Sequence, residues 1–433
     1  MAIKAGQILH AMNTFIVDRI QTAGANLNIP TERVHELGNY QSVAVIRDIP
    51  DLSFDLDVLD VGTAIEGLLT QLDANPHNDP AGTKYELLTN FPVDIISPMK
   101  STHGAFDIVK SVVVPQLTLE SVSYRYGLQE NAGEQYTLQG DAIFYVPGTA
   151  KTIIVTGDGT QDEFDFGLDD GGTDPLNALP YNEAGTTFFA LNVSVDGERM
   201  TKDMDYTETA TSVVFNDPPE NGSVVRIIIG AKAEDLAYEY TQEGNTPYGE
   251  VVHRGTSIKP AAIRGKDIEV FIGTTDPGGG PVPWRWGGVQ SVNADWRVDL
   301  EDDFEFGQAR AVARDATDAP EVNGQVELRP RDPRDFFARL RAITGVGEDE
   351  VVGPQSSVLV PLEIQLKNPE SGGADNLFGS PASPGDVVKT LYVPDARFTI
   401  PGYEGRVQTK ADFTLEFESD TGILEVFKGE RPA

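Results

Sequence analysis

The sequence predicts a mainly β protein: two similar β-rich units, each followed by a helix-like stretch, plus an immunoglobulin-like β-sandwich inserted between them. Three observations carry this. Of 433 residues, 39% are hydrophobic, and 43 glycines and 28 prolines punctuate short apolar runs, as in a turn-rich β chain. The two ends of the chain share an ordered set of sequence matches. The segment between them has no counterpart in either.

The matches lie about 270 to 280 residues apart. Glu36-Leu37-Gly38-Asn39 pairs with Glu305-Phe306-Gly307-Gln308. Asp48-Ile49-Pro50-Asp51-Leu52 pairs with Asp318-Ala319-Pro320-Glu321-Val322. Val109 to Pro115 pairs with Val388 to Pro394, and Tyr136-Thr137-Leu138 with Phe413-Thr414-Leu415. A fixed order at a near-constant offset is the signature of a duplicated unit. The predicted boundaries are 1–147 for the first unit, 148–246 for the insertion and 247–433 for the second unit.

In the first unit, Ile8, Leu9, Met12, Phe15, Ile16 and Ile20 have helical spacing, which predicts a helix over Gln7 to Ile20. Ser42 to Leu59 reads as a strand pair turning at Ile49-Pro50-Asp51, with Phe54, Leu56 and Val58 alternating against Asp55 and Asp57. A helix is predicted from Thr63 to Leu72, with Ile65, Leu68, Leu69 and Leu72 on its apolar face. Ile108 to Glu120 is a long strand bent near Pro115, and Gln135 to Val146 is another. In the second unit Ile268 to Ile272 is a strand. Trp284 to Leu300 reads as a hairpin carrying Trp284, Trp286 and Trp296. Arg334 to Ile343 is a helix with Phe336, Phe337, Leu340 and Ile343 on its apolar side, Arg334, Arg339 and Arg341 elsewhere, and Pro333 at its first turn.

The insertion opens with a strand at Thr152 to Thr156 and a turn at Gly157-Asp158-Gly159. Val193-Ser194-Val195 runs into Asp196-Gly197, the strongest short hairpin signal. Val213 to Phe215 and Val224 to Ile229 follow. Strands at short intervals over about 100 residues predict a small β-sandwich. Tyr238 to Gly249 reads as a return linker, and Ser371 to Gly385 as a loop.

Charge and composition narrow the function. The net charge of −35, from 68 acidic and 33 basic residues, repels nucleic-acid backbones and argues against specific DNA or RNA binding. Arg outnumbers Lys by 20 to 13. With high acidity and no cysteine, this fits adaptation to high salt; a GC-rich genome is the alternative source. The absence of cysteine excludes disulfides, thiolate metal sites and cysteine nucleophiles. No window approaches the roughly 18 apolar residues of a membrane span, and Met1-Ala2-Ile3-Lys4-Ala5-Gly6 lacks the form of a Sec signal peptide.

No constellation points to chemistry. His10, His35, His77, His103 and His253 lack metal-ligand spacing. No nucleophile elbow, P-loop or dinucleotide fingerprint occurs, and Gly278-Gly279-Gly280 between two prolines is a loop. Asp162, Asp165, Asp169, Asp170 and Asp174 crowd around Gly171-Gly172, where calcium is one reading and a solvated acidic loop the default. Asn192-Val193-Ser194 and Asn221-Gly222-Ser223 match the glycosylation pattern. The expectation is therefore no catalytic, cofactor-binding or metal-binding residue, no cofactor and no enzymatic activity.

The segment Gly307 to Ile343 resembles the tail tube (major tail) proteins of tailed viruses. It holds a glycine-led strand, the Ala319-Pro320-Glu321-Val322 turn, a return strand and a helix with Phe336, Phe337 and Leu340. Gly38 to Leu72 repeats it, and Val388 to Pro394 with Phe413 to Phe417 fits the closing strands. The resemblance implies that each unit is a β-sandwich with one flanking helix, that units join edge to edge so their inner strands close a continuous barrel around a channel, and that rings stack into a tube conducting viral DNA from capsid to host. It also implies partners: further copies of the chain, the tape measure in the lumen, and terminator, baseplate or tip proteins at the tube ends. DNA would pass without specific binding, and the location would be the virion tail. Two units per chain imply homotrimeric, pseudo-sixfold rings. The insertion resembles the immunoglobulin-like decorations on the outside of many tails. Alternatives are a β-rich surface adhesin or decoration protein, the inner tube of a contractile tail or injection system, and a secreted polysaccharide-active enzyme.

Overall fold

Residues 11–12, 15–16, 20–35, 42–47, 50–59, 62–70, 79–88, 91–100, 108–128, 132–146, 150–166, 188–231, 267–273, 285–304, 310–330, 333–344, 359–367, 386–404 and 412–432 are described by a computed structural model. Among them the protein is mainly β, with 27 strands and two helices, Ala64–Thr70 and Pro333–Thr344. Alternation accounts for the strands. In Asp51–Val58 the apolar residues Leu52, Phe54, Leu56 and Val58 are buried, and Asp51 and Asp55 are exposed, the period of a half-buried strand.

Sixteen strands form one continuous sheet. Its main path runs Ile268–Ile272, Val360–Lys367, Val387–Glu404, Asp412–Ser419, Glu321–Leu328, Val289–Arg297, Ile108–Gly127, Gly133–Gly140, Asp51–Val58, Ile20–Asn28. The two halves of this sheet repeat one order. Val93–Lys100, Ile108–Gly127, Gly133–Gly140, Asp51–Val58 and Ile20–Asn28 pair in sequence. So do Val360–Lys367, Val387–Glu404, Asp412–Ser419, Glu321–Leu328 and Val289–Arg297.

The registers repeat as well. Tyr124 lies opposite Glu134 as Tyr403 lies opposite Phe413. Leu56 lies opposite Tyr136 as Val326 lies opposite Leu415. The irregularity between Ile20 and Thr22 recurs between Val289 and Ser291. Each half also carries a short hairpin, Thr31–His35 with Ser42–Arg47 and Leu300–Asp303 with Ala313–Ala316.

The halves join edge to edge. Ile108–Gly127 pairs with Val289–Arg297 through a ladder from Ser121 opposite Arg297 to Gly127 opposite Ser291. The long strand reaches this junction through a kink at Gln116, just after Pro115, with φ of 49°. Three contacts hold the kink. Gln116 N donates to Asp94 Oδ1 at 2.9 Å, Gln116 Nε2 donates to Gly197 O at 3.2 Å, and Gln116 O accepts from Arg314 Nη1 at 3.2 Å.

Residues 150–231 have a core of their own. A four-stranded sheet (Ala150–Thr156, Val224–Ala231, Phe188–Val195, Glu198–Arg199) and a three-stranded sheet (Glu163–Asp165, Ser212–Phe215, Tyr206–Glu208) enclose Phe164, Phe166, Val193, Phe215, Val225 and Ile227. Asp196 and Gly197 have φ of 52° and 91°, the conformation a type I′ hairpin turn needs.

Several expectations are corrected. The described part of Gln7 to Ile20 is strand, not helix: Ala11–Met12 pairs with Phe15–Ile16 and with Val93–Lys100. Ile8, Met12, Ile16 and Ile20 are four apart, and an even spacing also keeps residues on one face of a strand. Ser42–Arg47 pairs with Thr31–His35, and Asp51–Val58 pairs elsewhere, so Pro50 marks a corner rather than a hairpin. Val289–Arg297 is flanked on both sides by distant strands, so Trp284 to Leu300 is not a hairpin; Trp284 lies outside the described residues. Gln135 to Val146 is two strands, Gly133–Gly140 and Phe144–Val146. Among the described residues no barrel is closed: the main path has two ends.

Candidate assembly interface

The first feature of interest lies where the halves meet in the interior. Glu66 sits on the first helix, Glu134 on Gly133–Gly140 and Lys389 on Val387–Glu404. All three are buried. Alternation aims Lys389 inward with Leu391 and Val393, and Glu134 inward with Tyr136 and Leu138. Lys389 Nζ donates to Glu134 Oε1 at 2.8 Å, to Glu66 Oε1 and to Gly62 O at 3.3 Å. It also lies 4.7 Å from the centre of the Tyr124 ring. Tyr124 donates to Glu66 Oε1 at 3.0 Å and Tyr126 to Glu134 Oε1 at 3.1 Å. The Tyr136 hydroxyl is 2.6 Å from Glu134 Oε2 and 2.9 Å from Glu66 Oε1.

Burial pushes the Glu134 carboxyl up to about 8, against the pull of Lys389 and with the push of Glu66. Burial also works against the Lys389 charge, but Glu134 and Glu66 outweigh it and hold the ammonium above its ordinary value. Burial, reinforced by the two carboxyls, holds the hydroxyls of Tyr124, Tyr126 and Tyr136 well above the usual range. The cluster is buried from solvent and bridges the two halves, Lys389 from one and Glu66 and Glu134 from the other. A second fastening is the pairing of Lys84–Glu86 with Glu425–Lys428, which brings the C-terminal strand onto the first half.

The insertion is clamped by buried arginines. Arg199 forms a bidentate pair with Asp141, at 2.7 Å and 3.0 Å, and donates to Ala311 O at 2.9 Å and Asn192 Oδ1 at 3.0 Å. Asp141 also accepts from Ala311 N at 3.0 Å. Inserted domain, first half and second half thus meet at one carboxylate. Arg226 lies 3.9 Å from Asp94 and donates to Pro92 O. Burial pushes the Asp94 carboxyl up, against Arg226 and the Gln116 amide. Ile228 and Ala150 pack on Ile96, Val113 and Val146 beside these pairs.

The outer edges of the sheet form the third feature. Asp51–Val58 covers one side of Ile20–Asn28, and among the described residues no strand covers the other. Val360–Lys367 and Asp412–Ser419 meet Ala396 from opposite sides. Val360–Lys367 stops there, so Arg397–Glu404 has one side without a strand among the described residues.

The residues singled out in the sequence do not gather into a site. Among the described residues no group of three or more His, Asp or Glu side chains is placed to hold a metal ion. Asp162 and Asp165 are exposed; Asp169, Asp170 and Asp174 lie outside the described residues, as do the Gly278 run and His10, His77, His103 and His253. His35 lies in a strand. Asn192 is buried against Arg199 and so is closed to glycosylation, whereas Asn221 is exposed at a turn. Sequence reasoning missed Lys389, Glu134, Glu66, Arg199 and Arg226. The available signal was a charged residue on the apolar face of an alternating strand, plain for Lys389 beside Leu391 and Val393.

Compared with known families and with curated proteins, the chain matches no family model and no individual sequence.

Proposed function

We propose that the protein is the structural subunit of a viral tail tube, in which three chains close a pseudo-sixfold ring and rings stack into a conduit for viral DNA. The observation that carries this reading is the internal junction. Two halves with one strand order and one register already stand edge to edge, so a single chain presents two-sixths of a ring. An open sheet edge is a template for pairing with another chain, and closure removes such edges. The contact between stacked rings is heterologous and does not close, which yields a filament.

The acidic chain suits passage rather than binding, because its net charge of −35 repels phosphates. The 150–231 sandwich, held as a distinct body by its arginine clamps, serves as an immunoglobulin-like decoration. The buried cluster is structural in this reading, and no residue is assigned a catalytic role. Other tail proteins would meet the tube at its ends and tape measure would fill its lumen during assembly. Electron microscopy of the purified protein at high salt tests the proposal: filaments or stacked rings are expected, and isolated particles at every salt concentration and protein concentration would overturn it.

A further inference from the structure

From the internal junction we infer the strand pair and register by which one chain joins the next: Arg397–Glu404 of one copy adds antiparallel to Ile20–Asn28 of a second copy, with Tyr403 opposite Ala25. The inference rests on the ring reading above and names the surface that makes it.

Repeated registers fix the correspondence. Ile108–Gly127 maps onto Val387–Glu404 with an offset of 279, since Tyr124 opposite Glu134 becomes Tyr403 opposite Phe413. Ile20–Asn28 maps onto Val289–Arg297 with an offset of 269, irregularity included. Inside the chain, Ser123 faces Asp295, Tyr124 faces Ala294 and Arg125 faces Asn293. Transferring that ladder gives Gly402 opposite Asn26, Tyr403 opposite Ala25 and Glu404 opposite Gly24. Pro401 falls opposite Leu27 and donates no hydrogen bond at that rung.

Burial supports the same partner. In Val289–Arg297, covered on both sides, Val292, Ala294 and Trp296 are buried. Their counterparts Ala23, Ala25 and Leu27 lie on the uncovered strand: Ala23 is half-buried, Ala25 exposed and Leu27 37% exposed. An apolar row on an open edge is what a missing strand would cover. The helices differ in the same sense. The first buries Ile65, Leu68 and Leu69, whereas Phe337 on the second is 48% exposed. The two edges are at opposite regions of one sheet, so a chain cannot satisfy them alone without closing on itself.

The absence of native cysteine makes disulfide trapping direct. Opposed residues in an antiparallel pair have Cα atoms about 4.5–5.5 Å apart, within disulfide reach, whereas a diagonal pair at about 7–8 Å is not. Full-length double variants Ala25→Cys with Tyr403→Cys, and Asn26→Cys with Gly402→Cys, test adjacent rungs. Leu27→Cys with Tyr403→Cys is the shifted control. After mild oxidation of assembled protein, covalent oligomers are expected from at least one opposed pair at tenfold or more above the control. Rings that form, by microscopy, but cross-link no better in the opposed pairs than in the control would overturn the register and leave the tube standing. Protein that neither assembles nor cross-links would overturn both.

Discussion

Lys389 Nζ lies 2.8 Å from Glu134 Oε1, across 255 residues of chain, and this bond ties the two halves together in the interior. Removing the cation while leaving two buried carboxyls costs more than the ion pair contributes, because the orphaned charge stays desolvated. Lys389→Met is expected to lower stability by about 3–5 kcal/mol. Adding Glu66→Gln and Glu134→Gln should recover most of the loss. Denaturant unfolding of the single and triple variants checks this; equal losses in both would place the cost in packing rather than charge.

The pH dependence follows from Glu134. Its folded carboxyl titrates at about 8 against an ordinary 4.5, so the folded state holds a proton that the unfolded state releases. Stability from this group is fully present below about 4.5 and falls as pH rises to about 8. Asp94, also pushed up by burial, acts with the same sign. Carboxylates held below their ordinary value by arginine, such as Asp412 and Asp420, change at lower pH and with the opposite sign. Unfolding midpoints measured from pH 5 to 9 should decline for the native chain and flatten for Glu134→Gln.

The arginine clamps predict how the insertion detaches. Arg199→Ala takes the bidentate partner from the buried Asp141 and leaves it Ala311 N at 3.0 Å and Arg314 Nη2 at 3.8 Å, and is expected to cost up to about 3–5 kcal/mol. The loss should appear as earlier release of the 150–231 sandwich, seen as protease cleavage between it and the body. Its own core, formed by Phe164, Phe215 and Ile227, should persist. Unchanged cleavage kinetics would show that Arg226 and the apolar contact around Ile228 suffice.

Much of the local pattern was legible in the sequence. Alternation marked Asp51–Val58, the Asp-Gly pair marked the hairpin at 196–197, and Pro333 marked its helix start. The match of Val109 to Pro115 with Val388 to Pro394 falls on strands that hold corresponding places in the strand order, whereas the match of Tyr136 with Phe413 is two residues out of register, since the ladders place Tyr136 where Leu415 stands. Partners were not legible. Ser42–Arg47 and Val289–Arg297 have the spacing of strands, but nothing local says that one pairs backwards with Thr31–His35 and the other with a strand from the opposite half. Gln7 to Ile20 misled because a spacing of four serves helix and strand alike. The candidate interface stayed hidden for the same reason: Lys389, Glu66 and Glu134 are ordinary charges until long-range pairing buries them together.

Glycine substitutions separate interior from edge. A Cβ at Gly324 would stand 2.2 Å from Asn293 O and 2.6 Å from the Phe417 ring, so Gly324→Ala must push strands apart, at about 1–3 kcal/mol. At Gly24, on the open edge, a Cβ meets nothing within 4 Å, and Gly24→Ala should leave the unfolding midpoint of the isolated chain unchanged.

Assembly should respond to salt. Three chains carry −105 formal charges, three times −35, and screening at high ionic strength offsets that repulsion. Dilution from molar to millimolar salt is expected to loosen rings, followed by light scattering; indifference to salt would show that charge does not limit assembly.

Counting chains in an assembled ring is the most direct test. Averaged electron micrographs viewed down the ring axis should show six similar lobes but true threefold symmetry, with a mass three times 46.9 kDa. A ring of six chains, or a monomer that closes its own edges, would contradict the account.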